Sequence, residues 1–574
     1  MDRDLTIRLG GESGEGIITA GEVIALGAAR LGLHVQTYRT YPAEMRGGPC
    51  IFQLRVDREP VLSHGDLLDV LVAFNIAAYR SNRRELRSRG LLIYDSDEFT
   101  PDDDSFVHFG IPLTTIASRQ LGFHQGKNIV ALGALAGLLG FPQRELETAV
   151  RDRLGRKNEQ VAERNVAALQ AGFDYVRTNV DKTDIPRIVP GDMRHRPVIS
   201  GNQSIALGAV AAGCRFFAGY PITPATDIME LLAAELPRFG GDVIQTEDEI
   251  AALSAAIGAS YAGVKAMTAT SGPGLSLMSE LINLASTAEI PVVIVDSQRA
   301  GPSTGMPTKT EQSDLNHMIY GGHGEGPRIV LAPTSVEDAF YKIIAAFNLA
   351  ERYQMPVIVA MDQSLSLRTQ TINRPSTDEI RIVARSIPDR QQGQNVEYKR
   401  YALSPTGVSP RSIPGEAGGL HVATGLEHDE FGHPSYDPEV HKWMVAKRYR
   451  KLAEAKKEFH EVHRFGAAEP DIGILGWGST EGAVREAVAR AEALGLSVAG
   501  LYPAALNPLP DDEILSFVKP LRAIIIIEAN YTGQFADLLR AKLGIEGVRL
   551  NRFDGLPFTG DEVFHKVEEV AQDG

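Results

Sequence analysis

An acidic cluster at the mouth of an alanine-rich helix, followed by a glycine–proline turn, is the pattern in this chain best suited to chemistry. Residues 243–274 read VIQTEDEIAALSAAIGASYAGVKAMTATSGPG. Glu249 sits where the helix should begin, and a carboxyl group there can hold or move a proton. A short strand follows and ends in Thr270-Ser271-Gly272-Pro273-Gly274 before another helix. Thr246 and Glu249 also fit a T-x-x-E capping box, and acidic residues in a first turn favour the helix dipole. The run of small residues (Ala251, Ala252, Ala255, Ala256, Gly258, Ala259) argues for more than a cap. Small side chains let another group approach the backbone closely, which a plain surface helix does not need. The SGPG turn alone is ordinary punctuation between strand and helix. The two patterns in this order are specific.

Two further loops can bind an anion. In Gly219–Asp227 (GYPITPATD), two prolines stiffen the chain and Thr223 offers a hydroxyl. The same residues read as a helix start, with Thr223 as N-cap and Pro224 in the first helical position, and a helix N-terminus attracts a carboxylate. In Ser297–Thr308 (SQRAGPSTGMPT), Arg299 can grip a carboxylate through two parallel hydrogen bonds, although it could equally be a surface arginine. His317 and His323 lack a cysteine or carboxylate set around them, so no metal is assigned.

The elements that must position these loops are those of a multi-domain α/β protein. Residues 1–180 alternate strands (Leu5–Leu9, Val70–Phe74, Leu91–Tyr94) with helices, and Asn128–Leu139 is apolar nearly all round. The first turn, Gly10–Gly16, lacks G-x-G-x-x-G spacing and carries Glu12 and Glu15, so it reads as a tight βα turn rather than a phosphate loop. Residues 181–197 read as a polar linker. Residues 198–370 form a second α/β unit, with strands expected at 215–218, 243–245, 265–270, 292–295 and 357–361. Alternating β and α argues for a parallel sheet, whose ligands bind beyond the carboxyl ends of the strands. Residues 371–466 are irregular, with an exposed charged helix expected over 443–463. Residues 467–574 return to a third α/β domain.

Composition narrows the class. The chain has 574 residues, 43% hydrophobic and 23% charged, as in soluble globular proteins of roughly three or four domains. A net charge of -15 argues against nucleic acid as a main partner. No apolar run is long enough for a membrane span, and no signal peptide precedes the first strand, so a cytoplasmic location is expected. Two cysteines cannot supply the four thiolates of an iron–sulfur cluster.

Taken together, GYPITPATD, QTEDEIAALSAAIG, TATSGPG and QRAGPSTGMPT resemble the α subunit of 2-oxoacid:ferredoxin oxidoreductases. Residues 1–180, with GGESGEG and EMRGGP, resemble the family's γ domain fused ahead of it. The segment GLHVATGLEHDEFGHP resembles the subtype that uses 2-oxoglutarate. The resemblance implies a γ-type α/β domain, a thiamine diphosphate pyrimidine-binding domain over 198–370 and a transketolase-C-terminal-like domain over 467–574. It implies that Glu249 is the carboxylate that activates the cofactor's aminopyrimidine ring, with Ser271, Gly272, Pro273 and Gly274 alongside. Tyr220, Pro221, Ile222, Thr223, Arg299 and Thr304 would bind the substrate. Arg46 and Lys127 would lie in loops that close over coenzyme A. The implied reaction is oxidative decarboxylation of 2-oxoglutarate to succinyl-CoA with reduction of ferredoxin, or its reverse. Pyruvate or a broader 2-oxoacid range is the alternative substrate choice, and a non-catalytic interaction subunit is the alternative class.

One family motif is missing. The G-D-G diphosphate and magnesium signature is absent, since Gly65-Asp66, Gly191-Asp192, Gly241-Asp242 and Gly560-Asp561 all lack the second glycine. A β subunit is therefore expected to bring the diphosphate site, Mg2+ and a [4Fe-4S] cluster, in an (αβ)2 heterotetramer.

Overall fold

The computed structural model describes residues 4–42, 47–155, 158–180, 185–388 and 397–572. The chain divides into two compact units. The first contains residues 1–199, 367–374 and 559–561, and the second contains the rest.

The first unit is built on an eight-stranded sheet. Its order is Val107–Ile111, Leu86–Asp95, Leu68–Ala73, Leu5–Glu12, Pro49–Asp57, His34–Thr40, Thr369–Thr371, Val198–Ser200. The apolar runs read from sequence are its parallel half. Leu5–Glu12, Leu68–Ala73, Leu86–Asp95 and Val107–Ile111 pair parallel in turn. The antiparallel strands His34–Thr40 and Pro49–Asp57 are additional to that reading. Thr37 and Arg39 interrupt the Val35 face of HVQTYRT, which hides its alternation, whereas PCIFQLRVD does alternate, with Cys50, Phe52, Leu54 and Val56 on one buried face. The helix Lys127–Leu138 is buried on every side, as its apolar composition predicts. The expected linker does not stand free. Ile188 N–H donates to Leu139 O and Gly191 N–H to Leu31 O, so this stretch lies along the first unit.

The second unit carries a seven-stranded sheet in the order Ala505–Asn507, Ile329–Leu331, Pro356–Asp362, Val292–Gln298, Ala266–Thr270, Phe216–Gly219, Asp242–Gln245. Every pair is parallel except the one at Ala505–Asn507. A five-stranded sheet, Val462–Gly466, Val498–Pro503, Ile472–Leu475, Ala523–Glu528, Val548–Asn551, completes the unit. The two sheets share a core: Leu315 and Met318 of the short helix Leu315–Tyr320 cluster with Trp477, Phe517, Phe535 and Leu539. The loop before that helix is thus fixed against the C-terminal sheet.

The connecting segment departs from expectation. Its helix, Pro438–Lys456, is charged but not simply exposed. Lys447 and Lys451 are fully buried and both bind the buried Glu289 carboxylate, at 2.7 and 3.0 Å. Arg400 donates to the Glu289 backbone carbonyl at 2.7 Å. Buried charges persist only when paired and hydrogen-bonded, and this cluster meets both conditions.

Candidate active site

Four adjacent strands of the seven-stranded sheet deliver the candidate residues at their carboxyl ends. Phe216–Gly219 leads into Tyr220–Thr223, Asp242–Gln245 into Glu249, Ala266–Thr270 into Ser271–Gly274, and Val292–Gln298 into Arg299. Thr246 N–H donates to Gly219 O, tying the first two loops together.

Glu249 is the first residue of the helix Glu249–Tyr261 and is 6% exposed. The capping box is not formed. Asp248 is the N-cap, accepting from Ala251 N–H at 2.7 Å, while Thr246 donates its hydroxyl to Asp248 O. Glu249 is therefore two positions too early to close the box. Among the described residues its carboxylate has no hydrogen bond or ion pair. It lies against Gly274: a Cβ there would come within 2.6 Å of Glu249 Cγ and 2.7 Å of its Oε1. Glycine is required at that point by the closeness of Thr270 Oγ1, 2.0 Å from such a Cβ, and of the Glu249 side chain. Ser271, at the N-cap of the next helix, is fully buried and its hydroxyl finds no partner among the described residues.

Thr223 and Arg299 meet, though not through the hydroxyl. An Arg299 terminal nitrogen donates to Thr223 O at 2.7 Å, and Arg299 Nε is buried without a partner among the described residues. Thr223 is not an N-cap either. The helix Thr226–Glu235 begins three residues later, capped by Ala225, and the Thr223–Pro224 peptide is cis. Tyr220 is exposed, Pro221 and Ile222 are half-buried, and Thr304 lies on the exposed face of the loop after Arg299. Arg46 lies outside the described residues. Lys127, in the first unit, is neither a loop lysine nor a solvated one. Its Nζ sits 2.8 Å from Asp95 and 3.2 Å from Glu98, beneath the surface.

Three carboxyl groups with no motif to announce them also belong to this edge of the sheet. Asp296 lies within the strand before Arg299, aligned with Thr270 and Ala360 on the flanking strands, and is fully buried. Neither of its carboxyl oxygens has a partner among the described residues. Burial, and then the charge of Asp314, push its pKa far up. Asp314 N–H donates to Gln298 Oε1 at 3.0 Å, and Asp314 Oδ2 is an unpartnered buried acceptor. A Cβ on Gly272 would lie 2.6 Å from that Oδ2, so Asp314 presses on the same turn whose far side touches Glu249. Burial and the charge of Glu311 raise the Asp314 pKa to about 6, against the pull of Arg299. Burial also raises Glu311. Burial lowers the Arg299 guanidinium, and Asp314 opposes that shift. The expected site loop, Ser297–Thr308, stops short of Asp314.

Gln312 latches this loop. It exchanges backbone and side-chain hydrogen bonds with Ala529, and its Nε2 donates to Trp477 O at 3.0 Å. Asn530 Nδ2 donates to its carbonyl at 2.9 Å. The C-terminal sheet thereby holds the loop that carries Arg299 and Asp314. Elsewhere, Asp338, Glu461 and His463 bring metal-ligating atoms together, but Lys342 already pairs with the two carboxylates. Among the described residues, no helix is long and apolar enough to cross a membrane.

Comparison with known proteins places this geometry. Residues 207–447 match the family described as pyruvate flavodoxin/ferredoxin oxidoreductase, thiamine diphosphate-binding, and residues 6–175 match pyruvate ferredoxin/flavodoxin oxidoreductase. The chain is 34% identical to the 2-oxoglutarate oxidoreductase subunit KorA of Mycobacterium tuberculosis, over 98% of this chain and 90% of the relative. It is 31% identical to the alpha subunit of 2-oxoacid:ferredoxin oxidoreductase 2 of Aeropyrum pernix, over 100% of this chain and 98% of that one. Among solved structures, a chain of the 2-oxoglutarate:ferredoxin oxidoreductase from Magnetococcus marinus, with 2-oxoglutarate, coenzyme A and succinyl-CoA bound, superimposes with a TM-score of 0.94 at 40% identity, covering 99% of this chain and 100% of that one. With a likeness that runs the length of the chain and includes the strand-end loops around Glu249 and Arg299, this protein belongs to the 2-oxoacid:ferredoxin oxidoreductase family and corresponds to its alpha subunit.

Proposed function

We propose that this chain supplies one half of the active site of a heteromeric enzyme that oxidatively decarboxylates 2-oxoglutarate to succinyl-CoA and passes the electrons to ferredoxin. The observation that carries the reading is Glu249: a buried carboxylate with no partner among the described residues, fitted against a glycine at a strand end. The Magnetococcus marinus likeness, whose structure holds 2-oxoglutarate, coenzyme A and succinyl-CoA, supports the choice of substrate.

The residues present fit thiamine diphosphate. Glu249 would bind its aminopyrimidine ring, with the Ser271–Gly274 turn beside it, and the orphaned Ser271 hydroxyl is a further polar group in reach of that turn. When bound, that cofactor supplies a carbon nucleophile for a 2-oxo carbonyl and an electron sink for loss of carbon dioxide. The chain's own residues do the rest. Glu249 holds and moves a proton at the ring. Arg299 receives the substrate carboxylate adjacent to the carbonyl, and the contact to Thr223 O fixes the orientation of its guanidinium. Gln312 keeps the Arg299 loop seated.

A beta subunit would bring the diphosphate and Mg2+ site and the [4Fe-4S] cluster, in an (αβ)2 assembly. The missing G-D-G and the two cysteines support this, since Cys50 and Cys214 are both buried free thiols. Burial pushes Cys50 up to about 11 and Cys214 up to about 12, so neither is poised as a thiolate ligand. Such thiols suit a reducing cytoplasm.

The test is co-expression with the partner. The assembled complex should show iron–sulfur absorbance and reduce a viologen dye in the presence of 2-oxoglutarate and coenzyme A, with kcat/KM highest for 2-oxoglutarate over pyruvate and 2-oxobutyrate. A preference for pyruvate would change the substrate and keep the reaction class. A brown, active preparation of this chain alone would overturn the division of the site.

A further inference from the structure

Asp296 and Asp314 hold three buried oxygens that make no hydrogen bond among the described residues. An unsatisfied buried acceptor costs free energy of about 1–3 kcal/mol, so such a cluster calls for an explanation. The surroundings of Asp314 supply one. Arg299 acts on it from the loop after Val292–Gln298, Glu311 from its own loop, Asp296 from the strand, and the N-terminus of the helix Gly272–Thr287 faces it at Gly272. Arg299 and the helix terminus favour a negative charge at Asp314, whereas Asp296, Glu311 and the lack of solvent disfavour it. Burial and Glu311 prevail and hold Asp314 above the ordinary carboxylate range, and a new negative charge arriving at Arg299 would raise it further.

We propose that Asp314, backed by Asp296, is the charge-balancing partner of Arg299: it offsets the guanidinium charge in the free site and takes up one proton from solvent when an anionic substrate carboxylate occupies Arg299. The inference rests on the reading of Arg299 as the substrate's carboxylate anchor. No bond of the substrate changes in this step; one solvent proton becomes bound to a carboxylate oxygen. Asp314 acts through Arg299 and is a positioning residue. Its contact with Gly272 links its protonation to the turn that also touches Glu249.

The experiment is the pH dependence of KM for 2-oxoglutarate on the assembled complex. In the wild type, KM should climb by up to about tenfold per pH unit above the titration of the pair, because binding must draw a proton from an ever scarcer supply. Asp314→Asn should flatten that climb, and Asp314→Glu should restore it. Arg299→Lys should raise KM across the whole range. An infrared difference spectrum of the wild-type complex, with and without substrate, should show gain of a carboxylic-acid carbonyl band. This measurement needs no variant, so poor folding of Asp314→Asn leaves the proposal open to refutation. If Asp314→Asn keeps the wild-type slope, or the band is absent, while Arg299→Lys raises KM, the proton coupling is wrong and the substrate reading stands. If Arg299→Lys leaves KM unchanged, Arg299 is not the anchor and both ideas fall.

Discussion

Glu249 and Gly274 are in such close contact that a single methyl group on the glycine would come within 2.7 Å of the glutamate Oε1. The turn therefore sets the position of the carboxylate from outside its own helix. Gly274→Ala should displace Glu249, and its Cβ would also strike Thr270 Oγ1. Misplacing a reacting group by about an ångström costs on the order of a hundredfold in rate. Turnover of the assembled complex should fall by at least that factor, while its circular dichroism stays unchanged.

Helix capping falls to Asp248 and the proposed chemistry to its neighbour Glu249, and two substitutions separate them. Asp248→Ala removes the side chain that caps Ala251 N–H and should cost about 1 kcal/mol of stability with turnover largely retained. Glu249→Gln should leave stability close to wild type and reduce turnover by several orders of magnitude. Near-normal turnover in Glu249→Gln would rule out its role at the cofactor ring.

Gln312→Met keeps the length of the side chain and removes its polar atoms. Trp477 O and Ala529 N–H would then lose their partner. Each buried group left unsatisfied costs about 1–3 kcal/mol. A lower melting temperature together with a raised KM for the 2-oxoacid is the expected result, since the loop carrying Arg299 loses its latch. A lower melting temperature with unaltered KM would mean that the loop is held by other means.

The ion cluster at Glu289 should dominate the stability of the second unit. Glu289→Gln strands Lys447 and Lys451 beneath the surface and should cost about 3–5 kcal/mol, read by chemical denaturation. Burial, partly offset by Glu289, lowers the Lys451 pKa to about 7. Between that value and the ordinary lysine pKa near 10, the unfolded chain binds a proton that the folded chain lacks, so stability should rise with pH over that window. Lys451→Met should flatten the rise. At the acid end the slope has the same sign from a different cause: burial opposes ionisation of Glu289, but Lys447 and Lys451 more than compensate and hold its pKa below the usual carboxylate range. Its contribution should be present above about pH 4 and be lost as the pH falls further.

Much of the candidate site was legible because its residues were expected at strand ends. Glu249, the Ser271–Gly274 turn and Arg299 each follow an apolar run closely, and a parallel sheet brings such positions together. Asp296 was not legible. It lies in VVIVDSQ, where a single acid reads as an interruption of a buried strand. Asp314 was hidden for a different reason: its return to Gly272 is a tertiary contact with no local spacing rule behind it. The helix Pro438–Lys456 misled for a third. Lysines are ordinarily solvated, and only the distant Glu289 reveals which of them turn inward. The capping box at Thr246 was a correct motif shape placed two residues out of register.

The strand His34–Thr40 has Pro49–Asp57 on one side almost as soon as it is made, but its other neighbour is Thr369–Thr371. Val35 N–H waits for the hydroxyl of Thr371, 336 residues further along. At about 5–20 residues per second, a ribosome takes on the order of tens of seconds to deliver it. Throughout that interval the nascent chain presents an open sheet edge, the kind of surface on which strands of other chains readily pair. Yield in the cell should therefore depend on whatever shields the emerging polypeptide, and a fragment ending near residue 180 would carry that open edge permanently.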